Sequence, residues 1–204
     1  MLARNRMSKR LVTVDPGDSV ADARALLAKH GIHHLPVVKE HRLLGIVTDR
    51  DVRSAAAKTK SIADIMTPKP MVIGPDTFVD EAARRLRRHR IGALPVVENG
   101  HLIGILTTAD VLDAFVDLSG VREATTQMVI ADAKGSKAPE QIRDAVRKAR
   151  GEIKWLHRDA KDPSRLLLRL KGPRIDDIEY ALEAAGFTVD AVIGSSRGAL
   201  RIES

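Results

Sequence analysis

The chain has 204 residues, with 34 Lys and Arg against 27 Asp and Glu and a formal net charge of +7. That length allows one large domain or two to three small ones and excludes most barrel enzymes. With no cysteine, disulfides, thiolate metal sites and cysteine nucleophiles are excluded, and a reducing cytoplasm is compatible. Aromatic residues make up 2% of the chain (Phe78, Phe115, Trp155, Tyr180, Phe187), which argues against stacking platforms for single-stranded nucleic acid. No apolar run is long enough to span a membrane. The basic N-terminal segment lacks the apolar stretch of a secretory signal, so a soluble cytoplasmic protein is expected.

In chain order, the first feature is a repeat. An offset of 59 positions carries Ile32 to Val52 (IHHLPVVKEHRLLGIVTDRDV) onto Ile91 to Val111 (IGALPVVENGHLIGILTTADV) without a gap. The same offset pairs Met7 with Met66, Pro16 with Pro75 and Leu27 with Leu86. Two modules, 1–60 and 61–120, therefore precede a different tail. Each module reads as a short strand (Leu11 to Val14, Met71 to Ile73), a Pro-containing turn, and a helix opened by Ser19-x-x-Asp22 or Thr77-x-x-Asp80. The helices carry apolar stripes of Val20, Ala23 and Leu27, and of Val79, Ala82 and Leu86. LPVV and the following LLGIVT or LIGILT have hairpin spacing. Thr48-x-x-Asp51 and Thr107-x-x-Asp110 then open a second helix. The order is β-α-β-β-α, and one copy alone buries little, so the copies are expected to pack as a pair.

The LPVV strand and the G-h-h-T-x-x-D ending, present twice, together with Met66-Thr67 and its weaker counterpart Met7-Ser8, resemble a tandem pair of cystathionine-β-synthase (CBS) domains, a Bateman module. The resemblance covers about residues 1 to 118. Beyond it, strand Gln127 to Ala131, helix Pro139 to Arg150, strands Glu152 to His157 and Arg165 to Leu170, a helix from Arg174 to Ala185 and strand Phe187 to Ile193 are expected. This β-α-β-β-α-β order over 124–204 is ferredoxin-like and resembles an ACT domain, with Gly135 as the turn glycine. The fold class is thus mixed α and β: two CBS modules plus an ACT-like domain. That combination resembles the acetoin-utilisation AcuB family.

Several residues carry candidate chemistry. Asp51 and Asp110 sit at helix mouths, where a carboxylate can accept both ribose hydroxyls or simply complete a cap with Thr48 or Thr107. Spacing alone favours capping; the resemblance implies that Thr48, Asp51, Thr107 and Asp110 hold the ribose and phosphate of an adenine nucleotide. It also implies that the backbone of Val12, Thr13, Val72 and Ile73 lines an adenine pocket, with Arg50 at its rim. His33 and His34 precede LPVV where phosphate-binding CBS sites place basic groups, whereas their counterparts Gly92 and Ala93 are uncharged. One packed and one solvated histidine is the alternative.

The run Arg84, Arg85, Arg87, Arg88, Arg90 spreads over more than one helix face and reads as solvated surface, with Arg90 close to the ligand edge in sequence. Residues 1–60 carry 12 basic and 6 acidic side chains, whereas residues 61–120 carry 6 and 8. The charge excess therefore starts in the first repeat with Arg4, Arg6, Lys9 and Arg10. Gly194-Ser195-Ser196-Arg197-Gly198 fits a nucleophile-elbow pattern, but no histidine follows it; a flexible glycine-rich tail is the better account. No metal-ligand spacing or phosphate loop is present. The expected function is a non-enzymatic sensor with an adenine nucleotide (AMP, ADP, ATP or S-adenosylmethionine type) as regulatory ligand and no obligatory cofactor. A second small molecule at the ACT-like domain and a homodimer are implied by resemblance. The alternative is a nucleic-acid-associated regulator using the basic first repeat, which lacks any helix-turn-helix pattern.

Overall fold

A computed structural model describes residues 1–56, 61–120, 123–194 and 200–202. The chain divides into two units, Met1–Ala114 and Phe115–Ser204.

In the first unit, helix α1 (Val20–His30) starts where the Asp22 amide donates to Ser19 Oγ and ends at Gly31, whose φ of 61° permits the left-handed turn. Strands β1 (His34–Lys39) and β2 (Arg42–Thr48) form an antiparallel hairpin. Short helix α2 (Asp49–Ser54) follows. The second repeat gives α3 (Val79–His89), β4 (Ala93–Glu98), β5 (His101–Thr107) and α4 (Thr108–Ser119). Its hairpin turns at Asn99 (φ 51°) and Gly100 (φ 81°), the residue types such a turn favours.

Two expectations about the repeats are corrected. Leu11 to Val14 and Met71 to Ile73 do not form strands; each makes one parallel bridge, Val14 to Val37 and Ile73 to Val96. Extending the first ladder toward Val12 requires an N–H from residue 36, which is Pro36, and Pro95 imposes the same stop on the second. Nor does Thr77 cap α3. The N-cap lies one residue later, at Phe78, and the carbonyl of Met1 accepts the Val79 amide at 3.0 Å in place of a capping side chain.

That contact belongs to an exchange between the repeats. Residues 1–8 complete the second repeat: the Ala3 amide donates to Thr77, Arg4 to Pro75, and Ser8 pairs with Ile105. The equivalent segment near Ile62 completes the first, since its two-residue strand β3 (Thr67–Pro68) pairs with β2. The cores follow suit. Ile62 is buried among Val14, Leu27, Leu35 and Val52, while Ala3 is buried among Ile73, Leu86, Leu94 and Leu106. β2 lies alongside β5, which brings the repeats together as a pair.

The second unit contains β6 (Thr126–Ala131), α5 (Ala138–Lys148), β7 (Glu152–Arg158), β8 (Leu166–Lys171), α6 (Ile175–Ala184) and β9 (Thr188–Gly194). In its antiparallel sheet these strands run in the order β9-β6-β8-β7. Alternating Met128, Ile130, Leu166, Leu168 and Leu170 pack against Ile142, Val146, Ile178 and Leu182 of the helices. A strand beyond those expected, β10 (Leu200–Ile202), pairs with β9 and satisfies that edge. Ser195, Ser196, Arg197 and Gly198 lie outside the described residues.

Gly45 is held to hydrogen by the exchanged segment. A Cβ there would stand 2.6 Å from Met66 Sδ and 3.0 Å from the Thr67 carbonyl oxygen. Gly45→Ala is therefore expected to destabilise the protein by about 1–3 kcal/mol, read as a lower urea midpoint; an unchanged midpoint contradicts the close packing.

Candidate functional site

Backbone and side-chain groups of both repeats converge on one cleft, a cavity of about 340 Å³. From the first repeat come Arg10, Val12, His33 and His34; from the second come Gly92 and the turn Thr107–Asp110. The bridge that stops at Val14 leaves both the N–H and the C=O of Val12 without partners among the described residues. Across the cleft, Asp110 completes a cap: its Oδ2 accepts from the Thr107 amide at 2.7 Å and from Thr107 Oγ1 at 2.7 Å. Its other oxygen, Oδ1, has no partner among the described residues. Capping and ligand binding are thus compatible, because the cap uses one oxygen only.

His34 stands at the junction. Its imidazole carbons and nitrogen occupy the space beside Gly92, where a Cβ would lie 2.7 Å from Cε1 and Nε2. Burial is the main cause that holds its pKa below the ordinary histidine value, and neighbouring His33 pushes the same way. Asp49 and Asp51 oppose the shift without cancelling it. His33 is exposed, with Nδ1 3.6 Å from Asp49 Oδ2, which Arg53 also engages at 3.0 Å. One histidine is therefore packed and the other solvated, yet both line the cleft.

The sequence-derived residues separate into two sets. Val12, His33, His34, Thr107 and Asp110 line the cavity, and Thr13 is exposed next to Val12. Thr48, Arg50, Asp51, Val72, Ile73 and Arg90 do not line it. The cause is the crossed arrangement: the strand side of one repeat meets the helix cap of the other. Thr48 and Asp51 instead form a capping box of their own, with the Thr48 amide 2.8 Å from Asp51 Oδ2. Ile73 is corrected on a second count, since its amide donates to Pro95 and its carbonyl accepts from Val97, which leaves neither group for a ligand. Arg90 closes α3 in the left-handed region, at φ 54°. It is exposed there, as are Arg87 and Arg88, while Glu81 engages Arg84 and Arg85. Arg10 is the site residue that sequence reasoning missed. Its signal was present, two positions before Val12, but it was read only as part of a basic segment.

Comparison with known proteins bears on the same region. The CBS domain family model matches residues 3–58 and 62–117. Inosine-5'-monophosphate dehydrogenase of Korarchaeum cryptofilum is 44% identical over 110 residues, covering 53% of this chain and 23% of that protein. The Methanocaldococcus jannaschii protein of the same name is 34% identical over 129 residues, 62% of this chain and 26% of its own. The chain thus spans about a quarter of the length of these curated relatives. Among solved structures, CBSX2 in complex with AMP is 34% identical with a TM-score of 0.55, covering 57% of this chain and 97% of that one; CBSX2 is from Arabidopsis thaliana. The CBS domain pair of protein MJ0100, in complex with 5-methylthioadenosine and S-adenosyl-L-methionine, is 33% identical with a TM-score of 0.55 and the same coverage, 57% and 97%. An acetoin utilization protein (AcuB) from Vibrio cholerae is 27% identical with a TM-score of 0.56, covering 60% of this chain and 97% of that one.

The depressed His34 pKa has a definite sign. Below about pH 6.5 the unfolded histidine takes up a proton that the buried one resists, so stability falls as pH drops through that range. His34→Gln should reduce the loss in Tm between about pH 7.5 and about pH 5.5. An equal loss in both proteins would show that His34 does not carry it.

Proposed function

The chain belongs to the CBS-domain family, carrying the domain twice in tandem, and on that premise we propose that it is a non-enzymatic sensor whose repeat pair binds an adenine nucleotide as a regulatory ligand. The observation that carries this reading is the cleft itself: unpaired backbone groups of Val12 face the capped carboxylate of Asp110 across a cavity of about 340 Å³. That volume lies in the range of small-molecule sites. A purine edge needs one donor and one acceptor, which Val12 offers. A ribose offers two hydroxyl donors, which Asp110 Oδ1 can accept. The two similar pairs solved with adenosyl ligands support the same assignment.

Ligand binding shifts the arrangement of the pair only by its differential affinity for two states. The Phe115–Ser204 unit, whose sheet runs β9-β6-β8-β7 with both helices on one face, fits an ACT-like sensor of a second small molecule over 124–204. The likeness to the AcuB structure supports a role in acetoin or related carbon metabolism. The absence of cysteine fits a reducing cytoplasm, and no helix among the described residues is long and apolar enough to cross a membrane. A nucleic-acid reading of the basic first segment is weakened, because Arg4 is ion-paired with Asp76 and Arg10 lines the cavity.

Calorimetric titration of AMP tests the site. Asp110→Asn keeps a cap acceptor but removes the charge, and should weaken binding by roughly tenfold or more. Asp51→Asn should change it far less, because Asp51 lies outside the cavity. Equal affinity in the wild type and both variants would remove the ribose assignment. The proposed homodimer is served by α4, where Leu112, Phe115 and Leu118 are 62%, 62% and 65% exposed at three-residue spacing. Light scattering should give twice the 22.3 kDa chain mass, and Leu118→Glu should shift it toward the monomer.

A further inference from the structure

We propose that Asn99 is a covalent modification site, where the side-chain amide is lost as ammonia and the residue becomes aspartyl or isoaspartyl with the assistance of His101. The inference is independent of the adenine nucleotide reading and rests on the turn between β4 and β5. Asn99, Gly100 and His101 are all exposed there. Of the two asparagines in the chain, Asn5 and Asn99, only Asn99 precedes a glycine. The shape of the turn does not demand that pair. The repeat offset carries Glu40, His41 and Arg42 onto Asn99, Gly100 and His101, and the first hairpin makes its left-handed turn with Glu40 at φ 49° and His41 at φ 66°.

Two features of the turn favour the chemistry. The Gly100 amide donates to no group among the described residues, and the space where a Cβ would stand is open, with nothing within 4 Å. His101 supplies the second feature, since its Nδ1 lies 2.9 Å from the Asn99 carbonyl oxygen. A carbonyl can only accept, so Nδ1 carries the hydrogen and donates it. That carbonyl and the Gly100 N–H belong to the same amide, and the donated hydrogen bond stabilises the anion left when the N–H ionises. Solvent base removes the Gly100 amide proton, and the nitrogen attacks Asn99 Cγ. The Cγ–Nδ2 bond breaks, Nδ2 takes up a proton and leaves as ammonia, and a cyclic imide closes. Water then adds to an imide carbonyl: opening at Cγ gives aspartate, and opening at the main-chain carbonyl gives isoaspartate. Water enters, ammonia leaves, and nothing is oxidised or reduced. The isoaspartyl product lengthens the main chain inside a turn closed by the Glu98–His101 pair, which loosens the hairpin.

The test is peptide mapping by mass spectrometry on the full chain, aged in mildly alkaline buffer with and without urea, with isoaspartyl linkages read by enzymatic methylation. In the folded protein Asn99 should convert severalfold faster than Asn5, with isoaspartate among the products. His101→Phe should slow conversion at Asn99 severalfold in the folded protein and leave it unchanged in urea, where the ring no longer sits on the carbonyl. An unchanged urea midpoint for this variant reports that the exposed substitution keeps the fold. If Asn99 stays intact in the folded protein while the unfolded chain converts, the turn protects the residue and the site is overturned. If folded His101→Phe converts as fast as the wild type, the assistance by His101 is overturned and the site stands.

Discussion

A proline has no N–H, and in each repeat that missing group decides where regular pairing stops and a site can begin. Val14 pairs in parallel with β1 because residues 36 and 38 supply an acceptor and a donor. Two residues earlier the ladder asks Pro36 for a hydrogen it lacks. The backbone of Val12 is left unpaired at the mouth of a cleft, although Val14 beside it is buried in the core. An orphaned backbone group is costly when buried and useful when a ligand can reach it. Without Pro36, the segment from Leu11 would be expected to zip onto β1 and pair the polar groups that Val12 leaves open at the cleft.

The second constraint is the exchange of opening segments. Neither repeat has a complete core of its own, because Ala3 and Met7 pack in the second and Ile62 and Met66 in the first. Gly45 and Gly104 allow this by leaving room for the methionine thioethers against the strand backbone. The pair is therefore expected to fold as one cooperative body. The exchange also fixes the register between the repeats, and with it the meeting of the strand side of the first with the Thr107–Asp110 cap of the second.

Much of this was legible in the sequence. The 59-residue offset, the two hairpins and the Thr-x-x-Asp caps are local signals, and local signals survive folding because they are made of neighbouring residues. The strands of the second unit alternate plainly enough to be placed within a residue or two. What the sequence could not show were the contacts between distant segments. Thr77 lost its cap to a carbonyl 76 positions away, at Met1. Asp51 and Asp110 read as equivalent, yet only Asp110 lines the cavity, because which cap faces which strand is a property of the pairing. Arg10 escaped notice for a local reason: it reads as one more charge of the basic segment that begins at Arg4.

His34 joins these levels. Its ring fills the space that Gly92 leaves at the junction of the repeats, and burial there keeps it short of a proton. Protonation therefore opposes the packed arrangement. Asp49 and Asp51 pull the other way without cancelling the effect of burial. A side chain placed between two repeats to fill a gap thereby ties the protonation of the cleft lining to the packing that holds the repeats together.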